Sequence, residues 1–401
     1  MERIDWKYGK WGTSSDARIT FTGDWAAYKW FDELIIQTPE AIYGDTLNVL
    51  KKADLRVVNL ECALGGTTPI IKSGPNISGS RKHLPCLLAS GVDVATLGNN
   101  HFCDYGPEGI AETLNILREN NIRFCGAGMD RTEAEMPAIC ELNGVKAGIV
   151  SFTESGSDLP EAGENSPGII GWQKEQLSRI IKDTRQKCDV VIAVMHAGCE
   201  YIPYPPAYVQ EMARELIRAG ANAVIAHHPH VPQGIEIYND SPIVYSVGNY
   251  IFPNAGYFFN TRGYLLTLDI GKNGVTGFTI DPYSIGTADQ GVSLLCGETK
   301  DEFLALLKEL SAPFVRGEGE TAWHGVLARR YQNKYHEKMW NNDLKHFAED
   351  PAKAAAIIRN RTSKSCHVNF WRDYFHRLAE GFIADAPEWA LKLCRLYEEK
   401  I

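Results

Sequence analysis

The strongest constraint on the fold is an alternation of two patterns between residues 18 and 252: short aliphatic or β-branched runs, and stretches with helical periodicity. This alternation is typical of βαβ units, in which helices connect parallel strands. It predicts an α/β fold with a largely parallel sheet covered by helices. The expected strands span residues 19–22, 55–60, 92–97, 147–152, 190–195, 223–226 and 243–247, and the expected helices span residues 107–120, 175–187 and 207–219.

The rest of the chain follows two other patterns. Alternating runs at residues 264–270 and 275–283 flank an Asn-Gly turn signal and predict an antiparallel hairpin added to the sheet. From Asp301 onward the pattern is helical and contains many aromatic residues. The expected organisation is an N-terminal segment at residues 1–17, an α/β domain at residues 18–290 and a helical C-terminal region at residues 300–401.

The composition excludes several classes of protein. The chain carries 41 basic and 50 acidic residues, a formal charge of -9, whereas sequence-independent binding to nucleic acid requires an excess of basic residues. The N-terminus lacks the apolar core of a secretory signal, and no later stretch has the apolar length that a bilayer requires. Ten cysteines without a Cys-x-x-Cys pair indicate reduced thiols. We therefore expect a cytoplasmic protein with no nucleic-acid partner and no membrane-spanning segment.

Polar residues recur where the predicted strands end. Because the carboxyl ends of parallel strands lie on one edge of a sheet, these side chains are expected to converge. Carboxylate oxygen and imidazole nitrogen are suitable ligands for Mn, Fe or Zn, so the sequence predicts a metal site at this edge. The segments are Gly23-Asp24, Asn59-Leu60-Glu61, Asn99-Asn100-His101, His196-Ala197-Gly198, His227-His228-Pro229-His230 and Ser246-Val247-Gly248-Asn249.

Other interpretations of the single residues are open. Asp24 could cap a helix, and His196 could be a buried core histidine with its hydrogen bonds satisfied. Cys103 and Cys199 lie close in sequence to these histidines and raise the alternative of a thiol nucleophile. The recurrence of metal donors at successive strand ends favours the metal site over each of these alternatives.

Together these segments resemble the bacterial capsule-synthesis proteins of the CapA family, within the calcineurin-like metallophosphoesterase superfamily. The similarity extends over about residues 19–285 and also includes Asp104-Tyr105-Gly106, Gly126-Ala127-Gly128, Cys199-Glu200-Tyr201 and Gly220-Ala221. The resemblance implies a four-layer α/β/β/α sandwich of metallophosphoesterase type, with a helical C-terminal extension. It also implies two divalent metal ions and a role in poly-γ-glutamate capsule biosynthesis.

The resemblance implies a role for each matching position. Asp24 and His230 would hold one metal ion, and Asn100, His196 and His228 would hold the second. Glu61 would bridge the two ions, and His101 would be the catalytic residue that stabilises or protonates the leaving oxygen. The residues expected to support the site without binding metal are Asn249, Asp104, Glu200 and His227. Glu200 could accept a proton or hold a neighbouring loop, and we favour the loop.

Two positions depart from the usual superfamily pattern. Ala26 stands where a histidine usually follows the first aspartate, and Glu61 stands where an aspartate is common. The first metal site is therefore expected to have fewer protein ligands and to be weaker. Both departures appear in the CapA family, so they weaken the inference of phosphatase activity more than the family resemblance.

A basic loop between the second and third strands is a candidate for substrate binding. Lys72, Arg81, Lys82 and His83 supply positive charge that would attract an anionic substrate, either a phosphate or the carboxylates of a glutamate polymer. A solvated loop without this role is an equally open interpretation.

Two functions are compatible with these features. The first is a metal-dependent hydrolase acting on a phosphoester, or on an amide or γ-glutamyl bond. The second is a non-catalytic accessory component of a poly-γ-glutamate assembly system, which would bind the polymer or partner proteins. Many family members carry an N-terminal membrane anchor, which is not visible in this sequence. The helical C-terminal region could shield the metal-bearing edge and narrow the choice of substrate, and the oligomeric state is left open.

Overall fold

The structure is a computed structural model that describes residues 8–9, 16–26, 32–156, 159–252, 256–287, 289–345, 347 and 349–400. Most of the expected N-terminal segment at residues 1–17 lies outside the described residues.

The strands, in chain order, are β1 (Tyr8–Gly9), β2 (Ala17–Trp25), β3 (Leu55–Leu60), β4 (Val94–Thr96), β5 (Arg123–Cys125), β6 (Ala127–Gly128), β7 (Ala138–Leu142), β8 (Val145–Thr153), β9 (Gly168–Ile169), β10 (Val190–His196), β11 (Ala223–His227), β12 (Ile235–Tyr238), β13 (Ser241–Val244), β14 (Asn249–Ile251), β15 (Arg262–Gly271), β16 (Gly274–Ile285) and β17 (Val292–Leu294). The α-helices are α1 (Asp32–Gln37), α2 (Leu47–Leu50), α3 (Leu84–Ala89), α4 (Gly106–Glu119), α5 (Arg131–Ala134), α6 (Lys174–Arg185), α7 (Ala207–Ala219), α8 (Gly297–Val315), α9 (Gly319–Gln332), α10 (Tyr335–Lys345), α11 (Pro351–Ser363), α12 (Ser365–Ala379) and α13 (Glu388–Leu396). Short 3-10 helices lie at Ala41–Thr46, Arg81–His83 and Phe258–Thr261.

The strands form two large sheets rather than the single sheet that periodicity alone predicts. The first has the order β1-β16-β15-β2-β3-β4-β5, with β14 also pairing with β2 and β17 with β16. The second has the order β12-β13-β11-β10-β8-β7. In each sheet the central strands are parallel, and the predicted hairpin β15–β16 joins the first sheet antiparallel to β2.

The two sheets pack face to face, and helices cover both outer faces. One buried cluster combines Phe21 and Val57 of the first sheet with Ile192 and Val194 of the second. A second cluster joins the outer face of the first sheet to α4, and a third joins the outer face of the second sheet to α6 and α7. The four-layer α/β/β/α sandwich implied by the family resemblance is therefore confirmed.

The boundaries of two strands differ from the sequence prediction in ways that matter for the site. The strand expected at residues 19–22 continues to Trp25, so Asp24 lies within it. The strand expected at residues 243–247 ends at Val244, and the chain then crosses to the other sheet, where β14 pairs with β2. The crossing passes Gly248, whose φ of 83° is accessible to glycine at little cost.

The helical C-terminal region packs on the same core as the sheets. The ring of Phe303 in α8 lies 6.1 Å from that of Tyr264, and Phe259 stacks on Tyr397 at 4.6 Å between ring centroids. The Tyr397 hydroxyl donates a hydrogen bond of 2.5 Å to the carbonyl of Pro232. Across the described ranges, the helices all lack the combination of length and apolar character that a membrane crossing requires.

Candidate metal centre

Strand ends from both sheets meet at one edge of the sandwich and gather the predicted metal ligands. Asp24 and Glu61 come from β2 and from the residue after β3, while His196 ends β10. Three overlapping groups of donor atoms lie there, each with all members within 4.8 Å of one another. The groups are Asp24–Glu61–His230, Glu61–His196–His228 and Glu200–His228–His230.

A glycine in β2 permits the close approach that completes this edge. A Cβ atom on Gly23 would lie 2.2 Å from the carbonyl oxygen of Gly248, so only glycine fits there. The approach brings Asn249 into register with Asp24. Nδ1 of His230 donates a hydrogen bond of 2.8 Å to Oδ1 of Asn249, which orients the ring as expected for a residue that supports a ligand.

Asp24 is a buried carboxylate with one oxygen satisfied and one oriented towards the donor cluster. Oδ1 accepts hydrogen bonds of 2.9 Å from Nδ2 of Asn59 and from Nδ1 of His227. Oδ2 has no hydrogen-bond partner within the described part of the chain and lies 3.1 Å from Nδ1 of His230. Burial raises the pKa of Asp24, but the hydrogen bond from His227, the close approach of His230 and the charges of both rings outweigh it and lower the pKa well below its usual range. Asp24 is therefore ionised and available as a ligand.

Glu61 is a buried carboxylate whose oxygens both lack a hydrogen-bond partner among the described residues. Oε1 lies 3.3 Å from Nε2 of His196 and 3.8 Å from Nε2 of His230. Burial, followed by the nearby charge of Asp24, raises the pKa of Glu61 well above its usual range. A buried carboxylate without donors is costly, and a cation shared with the two histidines would remove that cost.

The histidines of the second donor group are in the neutral form that binds metal. Burial lowers the pKa of His196 and His228 well below the usual histidine value, and the Lys364 charge adds to the effect on His228. Nε2 of His196 lies 2.7 Å from Oδ1 of Asn100, and Nδ1 of His228 lacks a hydrogen-bond partner in the described structure. Neutral imidazole nitrogens and an amide oxygen that lie this close together form a suitable donor set.

The backbone at residues 228–230 is strained. His228 has a φ of 97° and His230 a φ of 57°, values that side chains other than glycine rarely adopt. Such conformations cost about 1–3 kcal/mol each and cluster at functional sites. Both rings belong to the donor groups, so the strained backbone lies at the candidate site.

His101 is held beside the donor cluster by a buried ion pair. Nδ1 of His101 lies 2.7 Å from Oδ2 of Asp104, whose Oδ1 pairs with Nζ of Lys72 at 2.5 Å. Lys72 also donates a hydrogen bond of 3.0 Å to the carbonyl of Asn100. Burial, with the Lys72 charge second, lowers the pKa of His101 to about 4. Because Asp104 engages Nδ1, Nε2 is the nitrogen that can act on a substrate.

The four residues of the candidate basic loop separate in the structure. Lys72 lines the cavity above the donor cluster. Arg81 instead pairs with Glu119 at 3.1 Å, and Lys82 and His83 pair with Asp32 at 2.7 and 2.8 Å. The last three are not among the described residues that line this cavity, so the geometry does not support substrate binding by them.

Two further acidic residues, Glu154 and Glu200, follow strands that end at this edge. Glu200 is exposed, lines the cavity and contributes a carboxylate oxygen to a donor group with His228 and His230. The neighbouring loop is held by Glu154, which accepts hydrogen bonds from the Gly198 amide at 3.3 Å and from the Tyr208 hydroxyl. Burial raises the pKa of Glu154 to about 7. Sequence reasoning overlooked Glu154, although it directly follows the fourth parallel strand.

A cavity of about 550 Å³ lies between the donor cluster and the C-terminal helices. Asn100, His101 and His228 line one side of it, and residues of α9 to α12 line the other. The helices therefore cover the metal-bearing edge. The thiol alternative receives no support, because burial raises the pKa of both Cys103 and Cys199 to about 12.

The part of the chain that carries this cluster is similar in sequence to known proteins. The model of the family described as bacterial capsule synthesis protein PGA_cap matches residues 18–254. The PGA biosynthesis protein CapA of Bacillus subtilis is 32% identical over 196 residues, which are 49% of this chain and 51% of that protein. A Mycobacterium tuberculosis protein named as a polyglutamine synthesis accessory protein is 28% identical over 228 residues, which are 52% of this chain and 59% of that protein.

Among solved structures, a 5'-nucleotidase precursor from Thermus thermophilus aligns with a TM-score of 0.44 and 11% identity, covering 73% of this chain and 58% of that one. The chain spans about half the length of the curated relatives that it matches.

Proposed function

Because the chain belongs to the bacterial capsule synthesis protein PGA_cap family, we propose that it is a dinuclear metal-dependent hydrolase in poly-γ-glutamate capsule biosynthesis. Its reaction would cleave a phosphoester or a γ-glutamyl bond. The observation that carries the proposal is the set of buried donor atoms that lack a hydrogen-bond partner among the described residues. They are Oδ2 of Asp24, both carboxylate oxygens of Glu61 and Nδ1 of His228.

The donor groups fit two divalent cations such as Mn, Fe or Zn. Asp24, Glu61 and His230 would hold one ion, and Asn100, His196 and His228 would hold the other with Glu61 between them. Glu200 would add a carboxylate to the first site, which lacks the histidine that Ala26 replaces. When bound, two such ions supply a water nucleophile at neutral pH and neutralise the charge that develops on the substrate.

The remaining polar residues would position groups and move protons. Asn249 and His227 fix the orientation of His230 and Asp24 by hydrogen bonds of 2.8 and 2.9 Å. Asp104 accepts from Nδ1 of His101 and fixes the ring, so Nε2 would stabilise or protonate the leaving oxygen in the protonated form of the ring, whose charge Asp104 would balance. Lys72 neutralises Asp104 and fixes the carbonyl of Asn100.

Metal analysis of the purified chain tests the proposal directly. After loading with Mn²⁺ and removal of excess ion, we expect about two ions per chain in the wild type and about one in His196→Ala. Turnover of an aryl phosphodiester should fall at least about a hundredfold in that variant, because one of the two ions that would neutralise the charge of the transition state is missing. His376→Ala, a change at an exposed histidine of α12, is the matched control and should retain metal and activity.

The possible results separate the candidate reactions. A wild-type chain that binds no metal would contradict the proposal. Metal binding with turnover of γ-glutamyl peptides and not of phosphoesters would assign the reaction to the amide bond.

His101→Ala should lower the rate according to the leaving group. For an ester with a poor alkoxide leaving group we expect a loss of about a hundredfold or more, because a general acid contributes about that factor. For a nitrophenolate leaving group, which departs without a proton, the loss should be only a few-fold. Steady-state rates on the two esters, with metal content measured in parallel, check this. Equal losses on both would assign His101 to substrate positioning instead.

A non-catalytic accessory role is the second candidate. It is favoured by the name of the Mycobacterium tuberculosis relative and by the size of the cavity. In that case the site would bind the polymer and leave it intact. The cytoplasmic location expected from the reduced cysteines is part of either proposal, as is an anionic substrate of small or polymeric size.

A further inference from the structure

Tyr201 lies beside a candidate metal ligand but has no part in the chemistry proposed above. It belongs to the loop that follows β10, and it lines the cavity next to the donor cluster. Its amide donates a hydrogen bond of 2.9 Å to the carbonyl of Pro229, which lies between His228 and His230 in the chain. Its φ of 58° is a value that residues other than glycine rarely adopt. The backbone of Tyr201 is therefore fixed against the loop that carries two candidate ligands.

The imidazole of His230 belongs to a series of packed aromatic rings. The ring centroid of Tyr201 lies 6.0 Å from that of His230, and Tyr257 stacks on Tyr201 at 5.0 Å with 22° between the planes. Phe252 also packs on His230, with 4.4 Å between ring centroids. Tilted and offset pairs at such distances are favourable for aromatic rings. The position of the imidazole is therefore restrained by two aromatic side chains.

Tyr257 is in turn held by the segment that follows α13. Tyr257 pairs with Lys400 in an antiparallel β-bridge, and the Lys400 ammonium lies 5.5 Å from the centroid of the Tyr257 ring. A cation within about 6 Å of a ring centroid is attracted to the ring face. The amide of Phe258 donates a hydrogen bond of 3.1 Å to the carbonyl of Glu399. These contacts restrict the movement of Tyr257, which supports the ring of Tyr201.

Ring packing supplies a restraint on His230 that its hydrogen bond does not supply. Nδ1 of His230 bonds to Oδ1 of Asn249 at 2.8 Å, which fixes one atom of the ring. A hydrogen bond tolerates a deviation of about 30° from linearity, so this bond alone permits the ring to tilt. Packed neighbours oppose that tilt. They keep Nε2 of His230 at its distance of 3.8 Å from Oε1 of Glu61, the other candidate ligand.

We propose that Tyr201 is a positioning residue for His230, with Tyr257 as its support. Tyr201 would not bind an ion itself, and its ring would hold the imidazole in the orientation that allows binding. The first metal site would depend strongly on this restraint, because Ala26 leaves it with fewer protein ligands. The inference rests on the proposed function only for the presence of an ion at this site.

Calorimetric titration of the metal-free chain with Mn²⁺ tests the role of Tyr201. We expect Tyr201→Leu to weaken the site that contains His230 by about tenfold or more, the usual effect of removing a group that orients a ligand. Tyr201→Phe keeps the ring and should bind both ions as the wild type does. Tyr331→Leu is the matched control and should also bind as the wild type does. Tyr331 stacks on His336 with 6.2 Å between ring centroids, and neither residue belongs to the donor groups.

A double substitution separates an effect on His230 from a general effect on the fold. His230→Ala should retain the ion of the other site, and adding Tyr201→Leu should leave the affinity for that ion unchanged. If Tyr201→Leu does not fold, Tyr257→Leu removes only the support and should weaken the first site a few-fold. A further loss of affinity in the double variant would overturn the positioning role, as would a Tyr201→Phe variant that binds as weakly as Tyr201→Leu.

Nuclear magnetic resonance of the metal-free chain, with its histidines labelled with carbon-13 at Cε1, requires neither metal nor turnover. The His230 signal is identified by its loss in His230→Ala. We expect one narrow His230 signal in the wild type and in Tyr201→Phe, and a broadened or doubled signal in Tyr201→Leu. A chain that hydrolyses nothing yet shows this difference would contradict the hydrolase and support the positioning role. One narrow signal in all three proteins would overturn the positioning role.

Discussion

Replacing Glu61 by glutamine is expected to abolish metal binding and, at the same time, to stabilise the metal-free protein. Both oxygens of Glu61 are buried without hydrogen bonds among the described residues, between the two donor groups that contain it. Loss of this shared ligand should remove both ions and lower turnover by about a thousandfold or more. At an ion concentration of about 100 times Kd, each bound ion adds about 2.7 kcal/mol to stability, and the variant should lose this gain.

The stabilisation of the metal-free variant should grow with pH. Burial holds the pKa of Glu61 well above its usual range, so the folded chain keeps a proton that the unfolded chain releases above about pH 4.3. Between these two pKa values the unfolded state binds fewer protons, and the stability of the wild type falls as pH rises. Glutamine does not titrate. The free energy of unfolding of metal-free Glu61→Gln should therefore exceed that of the metal-free wild type only slightly at pH 4, and by about 1–3 kcal/mol at higher pH.

Urea unfolding with and without Mn²⁺ at several pH values measures both effects. Glu236→Gln is the matched control, because Glu236 is also buried but pairs with Arg214 at 2.9 Å and accepts from Tyr245 at 2.5 Å. That change should destabilise the protein by about 2 kcal/mol with or without metal. If Glu61→Gln behaved like the control, the interpretation of Glu61 as a metal ligand would be wrong.

Replacing Phe303 by alanine is expected to lower the free energy of unfolding of the whole chain by about 3–5 kcal/mol. Phe303 lies in α8, is 5% exposed and packs on Tyr264 of the first sheet, so its loss leaves a cavity in the core shared by sheets and helices. Urea unfolding followed by far-UV and near-UV circular dichroism should give one transition, shifted to lower urea by the same amount with both probes.

Phe347→Ala provides the control, because Phe347 belongs to the same C-terminal region but is 45% exposed. Its effect should lie within about 0.5 kcal/mol of zero. Two separate transitions, of which Phe303→Ala shifts only one, would instead indicate that the helices fold as an independent domain.

The sequence predicts the donor cluster well because the rule behind the prediction is geometric. Parallel strands end on a common edge, so the positions of Asp24, Glu61 and His196 along the chain are enough to predict that they meet. The same rule applied to the strand that ends at Thr153 would have found Glu154. The rule does not cover loops: Arg81, Lys82 and His83 were candidates for substrate binding because of their charge, with a solvated loop equally open, and in the structure they pair with carboxylates that do not line the cavity.

Two features of the fold were not visible in the residue pattern. Strands that are buried on both faces show the same apolar runs whether they belong to one sheet or two, so only the family resemblance separated β3 from β8. Aromatic residues at helical spacing indicate a core but not which element they pack against. The contact of Phe303 with Tyr264 and the position of Arg361 in the cavity depend on tertiary packing, which helical periodicity does not specify.

The proposed catalytic groups and the helices that cover them come from different stretches of the polypeptide. The side chains that would bind metal all lie before residue 254, the end of the family match, whereas the lining residues of α9 to α12 begin with Val326. Recombination that exchanged the final helices, while preserving their aromatic contacts with the sandwich, would alter which molecule is admitted and leave the bond-breaking apparatus intact. Selectivity and reactivity can in this way evolve on separate gene segments.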